Sequence, residues 1–267
     1  MKALQRILFA VVLLFLYAPL LIMVFFSFNA GRSTSVFTGF SLKWYAELFN
    51  DSATITALKN TLILAVSSAL IATVLGTLAA VGIFHMRSKF MKSATMTVTN
   101  IPMMNPDIVT GVSMMLLFIF AAKLLGLSSS LSFVTLLIAH VTFNLPYVIL
   151  NVLPKLRQTD RHLSEAAEDL GCTPVQSFFK VVLPSISSGV VTGMMMAFTL
   201  SLDDFVISYF TSGPDFQTLP LRIFSMTKKT VKPDMYAMSS IIFFTVLVLL
   251  VIINLAQSKS EKEMRRK

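Results

Sequence analysis

The chain has 267 residues, 55% of them hydrophobic and 13% charged, with a mean hydropathy of +0.77; such a composition excludes a water-soluble domain and marks an integral membrane protein. The net charge of +9 is not accompanied by a basic patch interleaved with stacking residues, so it is read as topology and contact with anionic headgroups, with no nucleic-acid binding. Cys172 is the single cysteine, which excludes a disulfide framework and a Cys-based metal site.

In chain order, apolar runs long enough to cross about 30 Å of hydrocarbon, roughly 20 residues each, lie within 7–28, 61–84, 131–152, 189–210 and 236–256, charge-free but for Asp203 and Asp204. The first exceeds a signal-peptide core and lacks a small-x-small cleavage site before Ser27-Phe28-Asn29, so it is expected to stay as the first helix. A further, shorter helix of roughly 15 residues is needed at 108–122. The entry to it, Ile101-Pro102-Met103-Met104-Asn105-Pro106-Asp107, predicts broken backbone sheltered by protein. The expected fold class is all-α integral membrane with about six transmembrane helices.

Orientation follows from Lys and Arg near the span ends. An inside N-terminus puts Lys2, Arg6, Arg87, Lys89, Lys92, Lys155, Arg157, Arg161, Lys180, Lys259, Lys262, Arg265, Arg266 and Lys267 in the cytoplasm. Arg32, Lys43, Lys59, Lys123, Arg222, Lys228, Lys229 and Lys232 then fall outside.

Asp203 and Asp204 follow the apolar run 189–202 inside the fifth span, where an ionised carboxylate costs at least about 2.5–3.5 kcal/mol. Helix neighbours point about 100° apart, so one can face a passage while the other packs against a neighbouring helix or a backbone donor. Asp107 adds a third carboxylate at the Asn-Pro-Asp break. Converging acids in a water-filled cavity attract cations and reject anions. The same residues also read structurally, the Asp pair as partners of a basic residue and Asp107 as a helix N-cap after Pro106.

Trp44, near Phe37, Phe40, Tyr45 and Phe49, fits an interfacial aromatic belt or a cation-π surface at the mouth of a passage. His85, His140 and His162 lack ligand spacing and are read as structural or exposed. The sixteen methionines form no sustained Met-x-x-Met ladder, so no metal site or cofactor is expected.

One stretch is polar inside a chain otherwise built for lipid. Leu163, Ala166, Ala167 and Leu170 recur at i, i+3, i+4 and i+7, a narrow apolar stripe on a short charged helix. Gly171 breaks that helix where a left-handed C-cap belongs. Thr173-Pro174-Val175-Gln176 restarts a second helix with a capping box.

Ser164-Glu165-Ala166-Ala167-Glu168-Asp169-Leu170-Gly171, closed by Leu183-Pro184, resembles the Glu-Ala-Ala loop of permease subunits in type I ABC importers. The resemblance implies a type I ABC importer permease (MetI-like) fold, a single permease domain over 1–267 and a cytoplasmic coupling loop at 153–187. It implies that Glu165, Ala166, Ala167 and Gly171 couple the chain to a cytoplasmic ATPase dimer. No Gly-x-x-x-x-Gly-Lys-Ser/Thr loop occurs, so ATP chemistry resides on another chain and no catalytic residue is assigned.

Met104-Asn105-Pro106-Asp107-Ile108-Val109, Leu200-Ser201-Leu202-Asp203-Asp204, and Gly213-Pro214 with Leu219-Pro220-Leu221 narrow the resemblance. They are similar to the C subunits of spermidine/putrescine transport systems, over nearly the whole chain. That implies polyamine passage at Asp107, Asp203, Asp204 and Trp44, a second related permease subunit, an extracytoplasmic polyamine-binding protein, and a bacterial inner-membrane location with both termini cytoplasmic. Asn105 stands where that family more usually has a small Ser. Two other readings stay open: the same architecture with ferric ion, another amine or an anion as cargo, and an intramembrane aspartyl protease built on the Asp pair. The latter would need carboxylates converging from different helices.

Overall fold

The computed structural model describes residues 2–31, 33, 36–126, 131–160, 162–228, 235–245, 247–248 and 251. Of the cations used for orientation, Arg32, Arg161, Lys229, Lys232 and the five of the C-terminal tail lie outside the described residues.

The described chain is predominantly helical, with one isolated antiparallel β-bridge between Asn29 and Phe40 among the described residues. It contains α1 (Lys2–Phe26), α2 (Lys43–Asn50), α3 (Ser52–His85), α4 (Lys89–Met104), α5 (Asp107–Leu124), α6 (Phe133–Gln158) and α7 (His162–Asp169). Next come α8 (Pro174–Ser177), a π-helical turn (Phe178–Val182), α9 (Leu183–Ser185), α10 (Ser187–Asp203), α11 (Val206–Thr211), α12 (Leu219–Thr227) and α13 (Met235–Thr245). Among the described residues, α1, α3, α5 and α6 are each long and apolar enough to cross a membrane. A fifth span arises if Pro174–Ser185 and Ser187–Asp203, bent by 73°, are counted together. The sixth expected span, 236–256, is seen as α13 up to Thr245, and most of its remainder lies outside the described residues.

Three elements differ from the sequence reading. Helix α3 is 34 residues long, about 51 Å at 1.5 Å per residue, because Asp51 caps its start: Ala53 N–H and the Thr54 hydroxyl both donate to the Asp51 carboxylate. Helix α4 carries the chain to Met104, past Pro102, so the expected break is confined to Asn105 and Pro106. The span expected at 189–210 is broken after Asp203, where α10 ends and the chain turns through Asp204 and Phe205 into α11.

The chain packs as two compact units. In the smaller, Met1–Leu58 with Leu219–Val251, Leu48 of α2, Ala57 of α3, Leu219 of α12 and Met238 of α13 bury one another. Arg222 Nη2 donates to Asp51 Oδ2 at 3.1 Å, tying α12 to the start of α3. Helix α1 exposes Ile7, Leu14, Phe15 and Leu21, a surface suited to hydrocarbon.

In the larger unit, whose described residues lie within Lys59–Thr218, α6 lies at the centre. Val148, Val152, Leu153 and Leu156 are buried against Ala69, Ala72 and Ala80 of α3 and Ala197 of α10. Glycines set this spacing. A Cβ at Gly76 would stand 2.7 Å from Val148 Cβ, and one at Gly193 3.1 Å from Val148 Cα. Without lipid-excluding hydrophobic force, such small-residue contacts let helices approach and gain dispersion energy.

Candidate functional site

The break between α10 and α11 is held by side chains that sequence position alone does not bring together. The Asp204 carboxylate accepts from Ile207 N–H at 3.2 Å and from Ser208 N–H at 2.7 Å, capping α11. Across from it, His140 of α6 places Nε2 3.5 Å from Asp204 Oδ2 and 3.0 Å from Ser208 Oγ. His140 Nδ1 lies 3.1 Å from Ser201 Oγ on α10. Ser201 Oγ in turn accepts from Asn144 Nδ2 at 2.8 Å and lies 2.9 Å from Ser68 Oγ of α3. This buried polar net joins the four helices α3, α6, α10 and α11 at the level of the break, with only Asn144 Oδ1 among these atoms buried without a hydrogen-bond partner, and networks of this kind rigidify the packing around them.

Asp203, one residue earlier, is exposed. The adjacent acids therefore divide: Asp204 turns inward to backbone donors and His140, while Asp203 turns outward. Asp107 is also exposed, as the first residue of α5 after the Asn105-Pro106 break. The same unit holds a buried apolar cluster of Ala139, Phe143 and Ile207, with Met114, Phe118, Tyr147 and Leu200 packed against it. Asp107, Asp203 and Asp204 all fall in the larger unit, each at a helix break.

Trp44 lies in the other unit. Its side chain is buried, and the indole N–H donates to the Asn29 carbonyl at 2.7 Å. Lys43 Nζ sits 5.5 Å from its ring centroid. Asn29 organises the whole outer segment: its amide nitrogen donates to the carbonyls of Ser33 and Val36, and its Oδ1 accepts from Gly31, Thr38 N–H and the Thr38 hydroxyl. Phe28 stacks on both Phe40 and Tyr45 nearby.

The Glu-Ala-Ala stretch forms α7, and its end is a Schellman cap. Cys172 N–H donates to the Ala167 carbonyl at 3.0 Å and Gly171 N–H to the Glu168 carbonyl at 2.9 Å. Gly171 has φ +87°, the left-handed region that a side chain disfavours. Thr173 and Gln176 complete the expected capping box, with Pro174 at the first helical position. Ala167 is buried, whereas Glu165, Ala166 and Gly171 face outward. A Ser164–Ser177 hydroxyl pair at 2.9 Å fastens α7 to α8. His162 Nδ1 lies 3.0 Å from Glu165 Oε2, and this hydrogen bond, then the charges of Glu165 and Asp160, raises the imidazole pKa above its ordinary value.

The functional-site residues that sequence reasoning left unassigned are His140, Asn144, Ser201 and Ser208. A signal for them exists. His140 and Asn144 are spaced i, i+4, and Ser201, Asp204 and Ser208 fall at i, i+3 and i+7, so each set occupies one face in segments that otherwise carry few polar groups.

Residues 72–266 match the model of the family described as binding-protein-dependent transport system inner membrane component. This chain belongs to that family. Among its relatives, the putrescine transport system permease protein PotI of Escherichia coli (strain K12) is 38% identical over 249 residues, covering 93% of this chain and 89% of that protein. The spermidine/putrescine transport system permease protein PotC of Haemophilus influenzae (strain ATCC 51907 / DSM 11121 / KW20 / Rd) is 40% identical over 250 residues, covering 94% and 95%. A solved bacterial ABC transporter involved in the import of the acidic polysaccharide alginate superposes with a TM-score of 0.74, covering 98% of this chain and 96% of that one at 17% identity. At that identity the likeness concerns the fold, that of type I ABC importer permeases. As an inner membrane component of an importer, the chain forms part of a transport path and is not itself an enzyme.

Proposed function

We propose that this permease forms, with a second related permease subunit, the membrane pathway of an ATP-driven polyamine importer. In that reading a cytoplasmic ATPase dimer docks on α7 through Glu165, Ala166, Ala167 and Gly171, and an extracytoplasmic polyamine-binding protein delivers the cargo. Both termini are cytoplasmic, which sets the 153–187 loop on the side where ATP is available and follows the bias of Lys and Arg.

The observation that carries the cargo is the exposed pair of acids, Asp203 and Asp107, each at a helix break, in the unit that also holds the apolar cluster of Ala139, Phe143 and Ile207. A polyamine presents ammonium groups separated by methylenes, and it needs separated carboxylates with apolar or aromatic walls between them. The near-full-length likeness to putrescine and spermidine/putrescine permeases supports the same cargo. Asp204 serves the pathway by holding the break that presents Asp203, and Trp44 by fixing the outer segment around Asn29. Few acids suit a conduit, because tight binding would stall release.

The test is ATP hydrolysis by the complete complex in proteoliposomes. Spermidine or putrescine with the binding protein should stimulate it, while sulfate and neutral sugars should not. Silence with both polyamines, together with stimulation by a ferric chelate and its own binding protein, would overturn the cargo and leave the importer standing.

A further inference from the structure

We infer that Gly111 is a positioning residue that determines specificity: by letting α5 and α11 touch, it sets the span between the exposed acids Asp107 and Asp203, and with it the length of polyamine that passes most readily. This role rests on the polyamine reading above. Gly111 is buried, and a Cβ built on it would stand 3.0 Å from Phe210 Cδ2, 3.4 Å from the Val206 carbonyl oxygen and 3.5 Å from Phe210 Cβ. The two helices therefore meet at bare backbone, and a small residue at such a contact is what permits the approach. Each of them begins at a break, α5 after Asn105 and Pro106, and α11 after Asp204 and Phe205. Gly111, Met114, Phe118 and Ala122 recur along one face of α5: Gly111 and Ala122 are buried, and Met114 and Phe118 pack on the cluster of Ala139, Phe143 and Ile207. Asp107 stands four residues before Gly111, on that same face.

Both acids lie on one side of this contact. On the other side, the Thr135 hydroxyl at the start of α6 donates to the Thr211 carbonyl at the end of α11 at 3.1 Å, and a Cβ at Gly213 would stand 2.6 Å from the Leu131 carbonyl oxygen. Helix α11 thus ends where the chain, having run along α5, enters α6, so α5 and α11 run in the same direction and their starting ends are neighbours. Asp107 precedes Gly111 by about 6 Å of helix rise, and Asp203 is three residues before Val206. The α11 side of the contact is held in place, because His140 Nε2 lies 3.0 Å from Ser208 Oγ and Ile207 is buried with Ala139 and Phe143. A group added at position 111 therefore pushes α5, and Asp107 with it, away from α11. A diamine and a longer triamine differ in the distance between their ammonium groups, and two carboxylates discriminate on that distance when their own spacing is fixed.

The experiment measures uptake of spermidine and of putrescine by the reconstituted complex of both permeases, ATPase and binding protein, normalised to assembled complex. The binding protein is kept saturated with one cargo or the other, so the ratio of the two rates reports the permease. Gly111→Ala should raise the spermidine-to-putrescine ratio about threefold and Gly111→Val about tenfold, as the acids move apart. Phe210→Ala combined with Gly111→Ala deletes the ring nearest the new methyl and should return the ratio to the parental value. Gly193→Ala, at a comparably close contact of α10 on α6, is the control for mere loss of packing and should lower uptake of both cargoes alike. A parental ratio in both Gly111 variants, or a ratio that Gly193→Ala moves as far, overturns the inference while polyamine import by the parent stands. A parental complex that imports neither polyamine overturns the cargo reading and this inference with it. If Gly111→Val does not assemble, Gly111→Ser is measured against the Gly111→Ala expectation.

Discussion

His140 Nε2 stands 3.5 Å from Asp204 Oδ2, with the two side chains 1% and 8% exposed, across the gap where α10 gives way to α11. Two backbone N–H groups already cap that carboxylate, so the imidazole completes its shell and the break becomes a fixed feature. A helix interrupted inside a membrane must satisfy the backbone groups it frees. Here one aspartate does so, and the adjacent one is left open.

Removing Asp204 should therefore damage the structure before it damages transport. Leaving a buried N–H donor without its acceptor costs about 1–3 kcal/mol, and Asp204 accepts from two such donors. Asp204→Ala should lower the recoverable complex and its thermal midpoint in detergent, and Asp204→Asn, which can still accept from one N–H, should do so less. Equal thermal midpoints for Asp204→Ala and parent would contradict the capping role.

Asp203→Asn should show the opposite split. Its exposed carboxylate has no such capping duty, and a charge pair at about 4 Å is worth between about 1 and 4 kcal/mol as the effective dielectric falls from water to a protein surface. Assembly should stay near parental while uptake drops by about tenfold. Asp107→Asn should behave alike. Parental uptake rates in both variants would move the pathway away from these acids.

Trp44→Phe should cost little packing but lose the 2.7 Å bond to Asn29, about 1–3 kcal/mol for leaving a buried carbonyl unpaired. The outer segment, measured by hydrogen exchange at residues 36–44, should open faster, and Trp44→Ala should open it further. Unchanged exchange in both variants would return Trp44 to a role at the lipid interface.

The α7 pair gives a pH dependence. The bond to Glu165 raises the His162 pKa above its ordinary value, so the stabilisation is fully present below the free imidazole pKa of about 6.5. It fades as pH climbs through the raised folded value. Titration of the ring by NMR should place its midpoint above that of a free histidine, and Glu165→Gln should bring it back down. A midpoint indifferent to Glu165→Gln would sink the pairing.

What the sequence made legible was local. The cap at Gly171 and the box from Thr173 to Gln176 depend on residues within one or two turns, and both are present as expected. The helical character of residues 89–104 was hidden because Lys89, Lys92, Thr95, Thr97, Thr99 and Asn100 break the hydropathy that marks a span, although their helix propensity is adequate. The His140–Ser201 contact joins residues 61 positions apart. Only the antiparallel packing of α6 on α10, set by Gly193 and Val148, brings them together, so spacing along the chain could suggest polar faces but not their pairing. That Asp203 and Asp204 point apart follows from helix geometry, but which of them turns inward was out of reach, since it depends on where α10 stops.

The loop from α7 to α8, proposed above to dock the ATPase, offers the sharpest separation of stability from function. Glu165 is exposed and reverses charge in Glu165→Lys without disturbing the buried Ala167. Gly171 has φ +87° with nothing within 4 Å of a hypothetical Cβ, so Gly171→Ala costs about 1–2 kcal/mol of backbone strain rather than a clash. Gly171→Pro goes further, removing the N–H that bonds Glu168 and demanding a negative φ. All three variants should insert and assemble. ATP hydrolysis stimulated by loaded binding protein, and uptake with it, should fall in the order parent, Gly171→Ala, Gly171→Pro, with Glu165→Lys low as well. The spacing of α7 from α8 is also held by Ser164 and Ser177, so Gly171→Ala retains part of the geometry and part of the activity. Normal stimulation and uptake in Glu165→Lys and Gly171→Pro, at normal membrane levels, would remove this loop from the coupling path.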